Sequence, residues 1–92
     1  MNAYITIVRH QYGTDILYAG GNEKTAYSKL AKYCRDWWFQ EGLDSETGIY
    51  SEKRLARLKD ETIIKKYFNN EAVIMNGEEG SVQEITLEDM GV

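Results

Sequence analysis

The sequence predicts an α+β domain in which two β-hairpins form a four-stranded antiparallel sheet, with helices covering one face. Short segments near both ends of the chain alternate apolar and polar residues, which is typical of half-buried strands. The middle of the chain has apolar residues at helical spacing instead. The predicted order is ββ-α-(αα)-ββ, with one long amphipathic helix and one or two short helices. The chain has 92 residues and no proline, and residues 1–92 are predicted to form a single domain.

The first hairpin is predicted over residues 3–19. Residues 3–10 alternate and are rich in β-branched side chains, and both faces of this strand are apolar, which favours a central position in the sheet. Residues 12–14 provide a turn, and residues 15–19 form the returning strand. Gly20 and Gly21 then allow a sharp exit.

The main helix is predicted from Asn22, a good N-cap, to about Gln40. Its apolar stripe is predicted to place Trp37 at the centre and Trp38 at the margin. Phe39 is expected to point outward or to pack under the following loop. The stripe consists of Ala26, Leu30, Tyr33 and Trp37, with Cys34 beside it.

The second half of the chain is predicted to be short elements joined by turns. Residues 44–48 form a polar loop, Ser51 caps a short helix, and Asp60 caps a second one that ends at 67 or 68. Residues 71–75 are predicted as a strand, residues 76–80 as a turn, and residues 82–87 as the final strand.

Residue types needed for catalysis are sparse. His10, the only histidine, is interpreted as a polar side chain at a strand end, and Cys34 as a small buried apolar residue. No CxxC or HxxxH spacing indicates a metal, and Gly20-Gly21 lacks the lysine of a phosphate-binding loop. We therefore expect a protein that is not an enzyme and has no catalytic, cofactor-binding or metal-binding residues.

Composition also bears on location. A single cysteine allows no internal disulfide, and no apolar run approaches the length of a membrane span. The start of the chain lacks the basic-then-apolar pattern of a signal peptide. A cytoplasmic protein without a membrane partner is expected.

The charge is unevenly distributed. The chain carries a net charge of −4, and residues 71–92 contain six acidic residues and no lysine or arginine. Such carboxylates can occupy a basic groove that normally holds nucleic acid, although a solvated strand face with a solubilising tail explains them equally well. With two residues of the first hairpin, the candidate partner-binding set is Tyr12, Asp15, Glu71, Glu78, Glu79, Glu84, Glu88 and Asp89.

A basic face on the main helix is the alternative binding surface. It could contact phosphates or an acidic patch of a partner, although the negative net charge disfavours direct nucleic-acid binding. Its residues are Lys24, Lys29, Lys32 and Arg35.

The hairpin sequence Tyr12-Gly13-Thr14-Asp15 and the helix segment from Tyr33 to Trp38 resemble small phage-encoded type I-F anti-CRISPR proteins, over roughly residues 1–40. The resemblance implies stoichiometric binding to a host CRISPR-Cas ribonucleoprotein complex, the RNA-guided surveillance complex, and a block of target-DNA binding. It assigns no contact residue. The alternatives are a small phage accessory or regulatory protein that binds another host protein, and a minor nucleic-acid binder using the basic helix face.

Overall fold

A computed structural model describes residues 2–86. Its elements are β1 (Asn2–His10), β2 (Gly13–Gly20), α1 (Glu23–Trp37), α2 (Leu43–Thr47), α3 (Glu52–Arg57), α4 (Asp60–Phe68), α5 (Glu71–Met75) and β3 (Glu79–Thr86). The described residues form an antiparallel sheet of three strands in the order β2-β1-β3. The α+β class and the central position of β1 are confirmed. The four-stranded sheet with a second hairpin is wrong.

The error lies in residues 71–75, which form helix α5 where a strand was predicted. The side-chain oxygen of Asn70 accepts hydrogen bonds from the backbone N–H groups of Ala72 and Val73 at 3.0 and 3.4 Å, which starts the helix. Five residues with a short apolar run fit a strand or a helix equally well by pattern. The last strand, β3, therefore has no hairpin partner and pairs with β1 instead.

The sheet buries one face against α1. Thr6 and Val8 of β1 are fully buried there, and the Thr6 hydroxyl donates to the Ala26 carbonyl oxygen at 2.7 Å. The opposite face of the sheet carries Ile7 and its cross-strand neighbour Ile16, which is 66% exposed. This opposite face, called here the open sheet face, is therefore partly accessible to solvent.

The hydrophobic core lies among the helices. Trp38 is fully buried in it and Trp37 is 41% exposed, so the predicted positions of these two residues are wrong. The buried side of α1 runs through Ala31 and Cys34, towards α4, and Trp38 continues that side one turn after Cys34. Phe39 is partly buried against the core. The core cluster consists of Cys34, Trp38, Leu43, Ile49, Leu55, Ile63, Tyr67 and Val73.

The short helices differ from prediction in detail. Residues 43–47 form α2 where a loop was predicted, between two glycines with left-handed backbone angles. Ser51 caps α3 as predicted, with its hydroxyl accepting from the Arg54 N–H at 3.3 Å. Asp60 is the first residue of α4, not its cap, and its carboxylate pairs with Arg35. Within residues 2–86, none of the helices combines the length and apolarity needed to cross a bilayer.

Candidate functional site

A cleft of about 530 Å³ lies between the tip of the β1–β2 hairpin and the C-terminal end of α1. Three carboxylate residues line it: Asp15, Glu41 and Glu78. It contains no lysine or arginine among its lining residues in the described part of the chain. The cleft is therefore an acidic recess, and it includes Tyr12, Asp15 and Glu78 of the candidate set.

Glu78 is the buried carboxylate of the cleft, with an exposed fraction of 7%. The hydroxyls of Tyr33 and Tyr67 both donate to its Oε1, at 2.5 and 2.7 Å. Among residues 2–86, these are the side-chain hydrogen bonds of Glu78, and neither reaches Oε2. Oε1 is thus fixed by two donors, while Oε2 can still accept hydrogen bonds.

The turn after α5 directs Glu78 inward. The N–H of Gly77 donates to the Ile74 carbonyl at 3.0 Å, and the N–H of Glu78 donates to the Val73 carbonyl at 3.2 Å. This pair of bonds is a Schellman motif, which places a left-handed residue at Gly77, where φ is +72°. The motif turns the chain back towards the core, so residue 78 points inward although its sequence neighbours are polar.

Burial raises the pKa of the Tyr67 hydroxyl and of the Tyr33 hydroxyl, and the hydrogen bond of each to Glu78 raises its pKa further. Both phenols therefore remain protonated donors well above neutral pH. Burial also raises the pKa of the Cys34 thiol, and the nearby Glu78 adds to the effect. The reactive thiolate is thus disfavoured at Cys34.

His10 holds the hairpin tip at the mouth of the cleft. Its Nε2 lies 2.9 Å from Asp15 Oδ2, and its Nδ1 accepts the Tyr12 N–H at 3.2 Å. Because Nδ1 accepts a hydrogen bond, Nε2 carries the proton that is donated to Asp15. Both ring nitrogens are engaged, so His10 orients Asp15 and the turn.

Aromatic side chains form one wall of the cleft. Trp37 packs beside Tyr33, with ring centroids 6.3 Å apart and planes inclined by 40°. Tyr12, at the hairpin tip, is 87% exposed. Trp37 and Glu41 also line the cleft, and neither was predicted to do so from the sequence. The run Trp37-Trp38-Phe39 did signal that one aromatic had to leave the core.

The remaining acidic candidates are dispersed. Glu71 is exposed in the first turn of α5, and Glu79 lies opposite Arg9 on the open sheet face. Glu84 accepts a hydrogen bond from the side chain of Asn2 on β1. Glu88 and Asp89 lie outside the described residues. The acidic residues within 71–86 therefore point in several directions.

The basic face of α1 is partly neutralised. Lys24 and Lys29 are exposed, while Lys32 pairs with Asp36 at 2.8 Å. Arg35 donates to Asp60 at 2.8 Å and to the Leu58 carbonyl at 2.7 Å. Arg35 thus ties α1 to the junction between α3 and α4.

Within residues 2–86, no group of three or more histidine, cysteine, aspartate or glutamate side chains is placed to hold a metal ion. No protein-family model, curated protein or solved structure matched the chain.

Proposed function

We propose that this chain is a non-catalytic protein that acts by docking its cleft face on a basic, nucleic-acid-handling surface of a larger partner. The observation that carries the proposal is the acidic cleft, which combines three carboxylate residues with the exposed rings of Trp37 and Tyr12. Exposed tryptophan and tyrosine beside charged groups are frequent anchors of protein interfaces.

Electrostatics favours a basic partner. Surfaces that bind nucleic acid are lined with lysine and arginine. Carboxylates that contact such a surface pair with the same positive charges as phosphates do. A net charge of −4 on a chain of 92 residues adds long-range attraction to such a surface. Binding of this kind would exclude the nucleic acid from the surface.

The resemblance to type I-F anti-CRISPR proteins provides the first partner to test. Under this proposal the cleft face docks on the host CRISPR-Cas surveillance complex in the cytoplasm and prevents target DNA from pairing with the guide RNA. The protein would act stoichiometrically, without turnover.

A gel-shift assay tests the proposal. The guide-loaded complex is incubated with the protein before labelled target DNA is added, and retention of the DNA is measured. We expect inhibition that is complete at a small molar excess. Combined substitution of Asp15→Asn, Glu41→Gln and Trp37→Leu should weaken inhibition by about 100-fold, since three interface contacts are removed.

The matched control carries the same kinds of change at exposed positions that do not line the cleft: Glu52→Gln, Glu61→Gln and Tyr50→Leu. It should inhibit as the unmodified protein does. Undiminished DNA binding in the presence of excess unmodified protein would refute the anti-CRISPR function. Equal inhibition by the cleft variant and the control would show that the partner binds a surface other than the cleft face.

A further inference from the structure

We infer that the open sheet face is the contact surface of a symmetric homodimer, in which a second copy of this chain packs its own open sheet face against the first. This dimer is independent of the cleft and of the proposed function. A two-fold axis brings the same patch of both copies together, so the patch has to be complementary to itself.

The central strand of the sheet is apolar on both faces. An antiparallel sheet with one solvated face normally alternates apolar residues towards the core with polar residues towards water. In β1, Thr6 and Val8 are buried against α1, yet the positions that face the other way are apolar as well. Such a pattern is typical of a strand that is covered on both sides. The apolar residues of the open sheet face are Ala3, Ile5, Ile7, Ile16, Ala19 and Ile85.

The charge of this face is balanced. Among the described residues of the three strands, the register places two ionisable side chains on it, Arg9 and Glu79, directly opposite each other on β1 and β3. Opposite positions on paired strands are close enough for their charges to interact. The open sheet face is therefore neutral in a chain of net charge −4, and a second copy can cover it without burying an unpaired charge. A strongly basic partner has no comparable reason to bind there.

The relief of the face also suits a second sheet. Ile7 and Ile16 are neighbours at its centre, and Ile16 is 66% exposed. Small side chains lie around them, at Ala3, Ala19 and Ser81. In packed sheets the side chains of the two inner faces interdigitate, so the isoleucines of one copy can fill the space above the small residues of the other.

The area of the face sets the strength of the contact. Three strands of eight or nine residues, about 4.8 Å apart and rising about 3.4 Å per residue, present about 400 Å². Two copies would bury roughly 800–1,000 Å² in total, which lies in the range of weak, reversible interfaces. We therefore expect a dissociation constant on the order of 100 μM. Stability measurements at a few micromolar thus report the monomer.

Dimer formation leaves the cleft accessible. Asp15 and Leu17 both line the cleft, whereas Ile16 lies between them in β2. Successive residues of a strand point to opposite faces of the sheet, so the cleft and the dimer contact are on different sides. The dimer would have the sheets inside, the helices outside and two clefts, one in each copy.

Sedimentation velocity of the full 92-residue protein tests the dimer. Between about 5 μM and about 1 mM, the protein should change from monomer to dimer in a reversible, concentration-dependent manner. Both copies carry a net charge of −4, so added salt should strengthen the dimer by screening their repulsion. Salt should weaken docking of the acidic cleft on a basic surface, which distinguishes the two kinds of contact.

A lysine at the centre of the face identifies the contact surface. Ile16→Lys places two unpaired charges in the interface, one from each copy, and should weaken the dimer by at least about 100-fold. Tyr50→Lys is the matched control, because Tyr50 is also 66% exposed, lies between α2 and α3, and undergoes the same change in charge. This control should dimerise as the unmodified protein does. Circular dichroism checks that both variants fold, and if Ile16→Lys does not, Ile16→Thr should weaken the dimer by about tenfold.

A protein that remains monomeric at about 1 mM would overturn the inference, since the expected dissociation constant lies well below that concentration. A dimer that tolerates Ile16→Lys would show that the copies meet elsewhere, such as at the outer edge of β3, and would overturn it as well. Weakening of the dimer by salt would exclude a neutral, apolar contact. None of these results alters the outcome expected in the gel shift.

Discussion

The helical side and the sheet side of this molecule are stabilised to very different degrees. Eight buried residues form one core cluster, and all of them come from helices or the loops between helices. Among residues 2–86, the strands contribute only Thr6 and Val8 as buried residues. The protein thus has a well-packed helical half and a thin sheet that is covered on one face.

Because of this difference, the part of the molecule that stabilises the fold is separate from the part that forms the cleft. The extents of 48 × 28 × 15 Å and the radius of gyration of 14.3 Å describe a flat molecule. A compact chain of this length would have a radius of gyration of about 12 Å. The helical core supplies most of the buried apolar area. The hairpin tip and the end of α1 are therefore free to carry a polar cleft at little cost in stability.

The largest expected effect separates the two adjacent tryptophans. Trp38→Ala should lower the free energy of unfolding by about 3–5 kcal/mol, because it leaves a large cavity in the helical core. Trp37→Ala should lower it by less than about 1 kcal/mol, since this ring is partly exposed. Urea unfolding monitored by circular dichroism measures both. Similar losses for the two variants would contradict the separate roles of the two residues.

Gly80 tests the contact between the two halves. A Cβ at this position of β3 would overlap the ring of Phe68 from α4 and approach Leu30 of α1. Gly80→Ala should therefore destabilise the protein by about 1–3 kcal/mol through overpacking. Ser81→Ala, at the exposed neighbouring position, is the control and should change stability by less than about 0.5 kcal/mol. A neutral Gly80→Ala would mean that the sheet and α4 are packed less closely than described.

Removing one donor to Glu78 should have a smaller effect. Tyr67→Phe deletes a buried hydroxyl and leaves Tyr33 as the remaining donor to Oε1, so we expect a loss of about 1–2 kcal/mol at neutral pH. Thermal unfolding would measure it. No loss would indicate that water replaces this donor without cost.

The same tyrosines predict alkaline instability. Their pKa values are raised in the folded state, so the unfolded chain loses these protons first as the pH rises past 10.0. Stability from this source is complete below pH 10.0 and falls above it, by up to about 1.4 kcal/mol per pH unit for each group. Tyr67→Phe should reduce this slope in urea titrations at pH 10 to 11. An unchanged slope would exclude Tyr67 as a source.

The smallest effect is expected on the open sheet face. Ile16 is 66% exposed, so Ile16→Thr should change the unfolding free energy by less than about 0.5 kcal/mol. Val8→Thr, on the buried face, introduces a hydroxyl into the sheet–helix contact and should cost about 1–3 kcal/mol. Comparable losses at the two positions would show that something covers the open sheet face in solution.

The sequence predicted those elements whose signals are local. The Asn22 side chain caps α1 as expected, accepting the Thr25 N–H at 2.9 Å, and Ser51 caps α3. The helix of residues 71–75 could not be distinguished from a strand, because the deciding hydrogen bonds come from Asn70. Which of Trp37 and Trp38 is buried depends on where α4 packs. This is a tertiary effect, and the periodicity of the sequence does not predict it.

The cleft was only partly predictable. Tyr12, Asp15 and Glu78 were selected on charge and position, and they line one recess. The sequence could not reveal that Glu78 is buried while Glu79 is exposed, since a Schellman turn decides which of the two points inward. Glu41 joins the site through a hydrogen bond to Asn76, which lies 35 residues further along the chain.

The pairing of β1 with β3 has a consequence for synthesis on the ribosome. Asn2 pairs with Thr86, so the middle strand of the sheet keeps one unpaired edge until residues 79–86 have been translated. The contacts of the helical core span shorter separations and can form earlier. During that interval a nascent chain exposes the edge of a strand that contains Ile5 and Ile7, and an unpaired edge of this kind favours pairing between neighbouring chains.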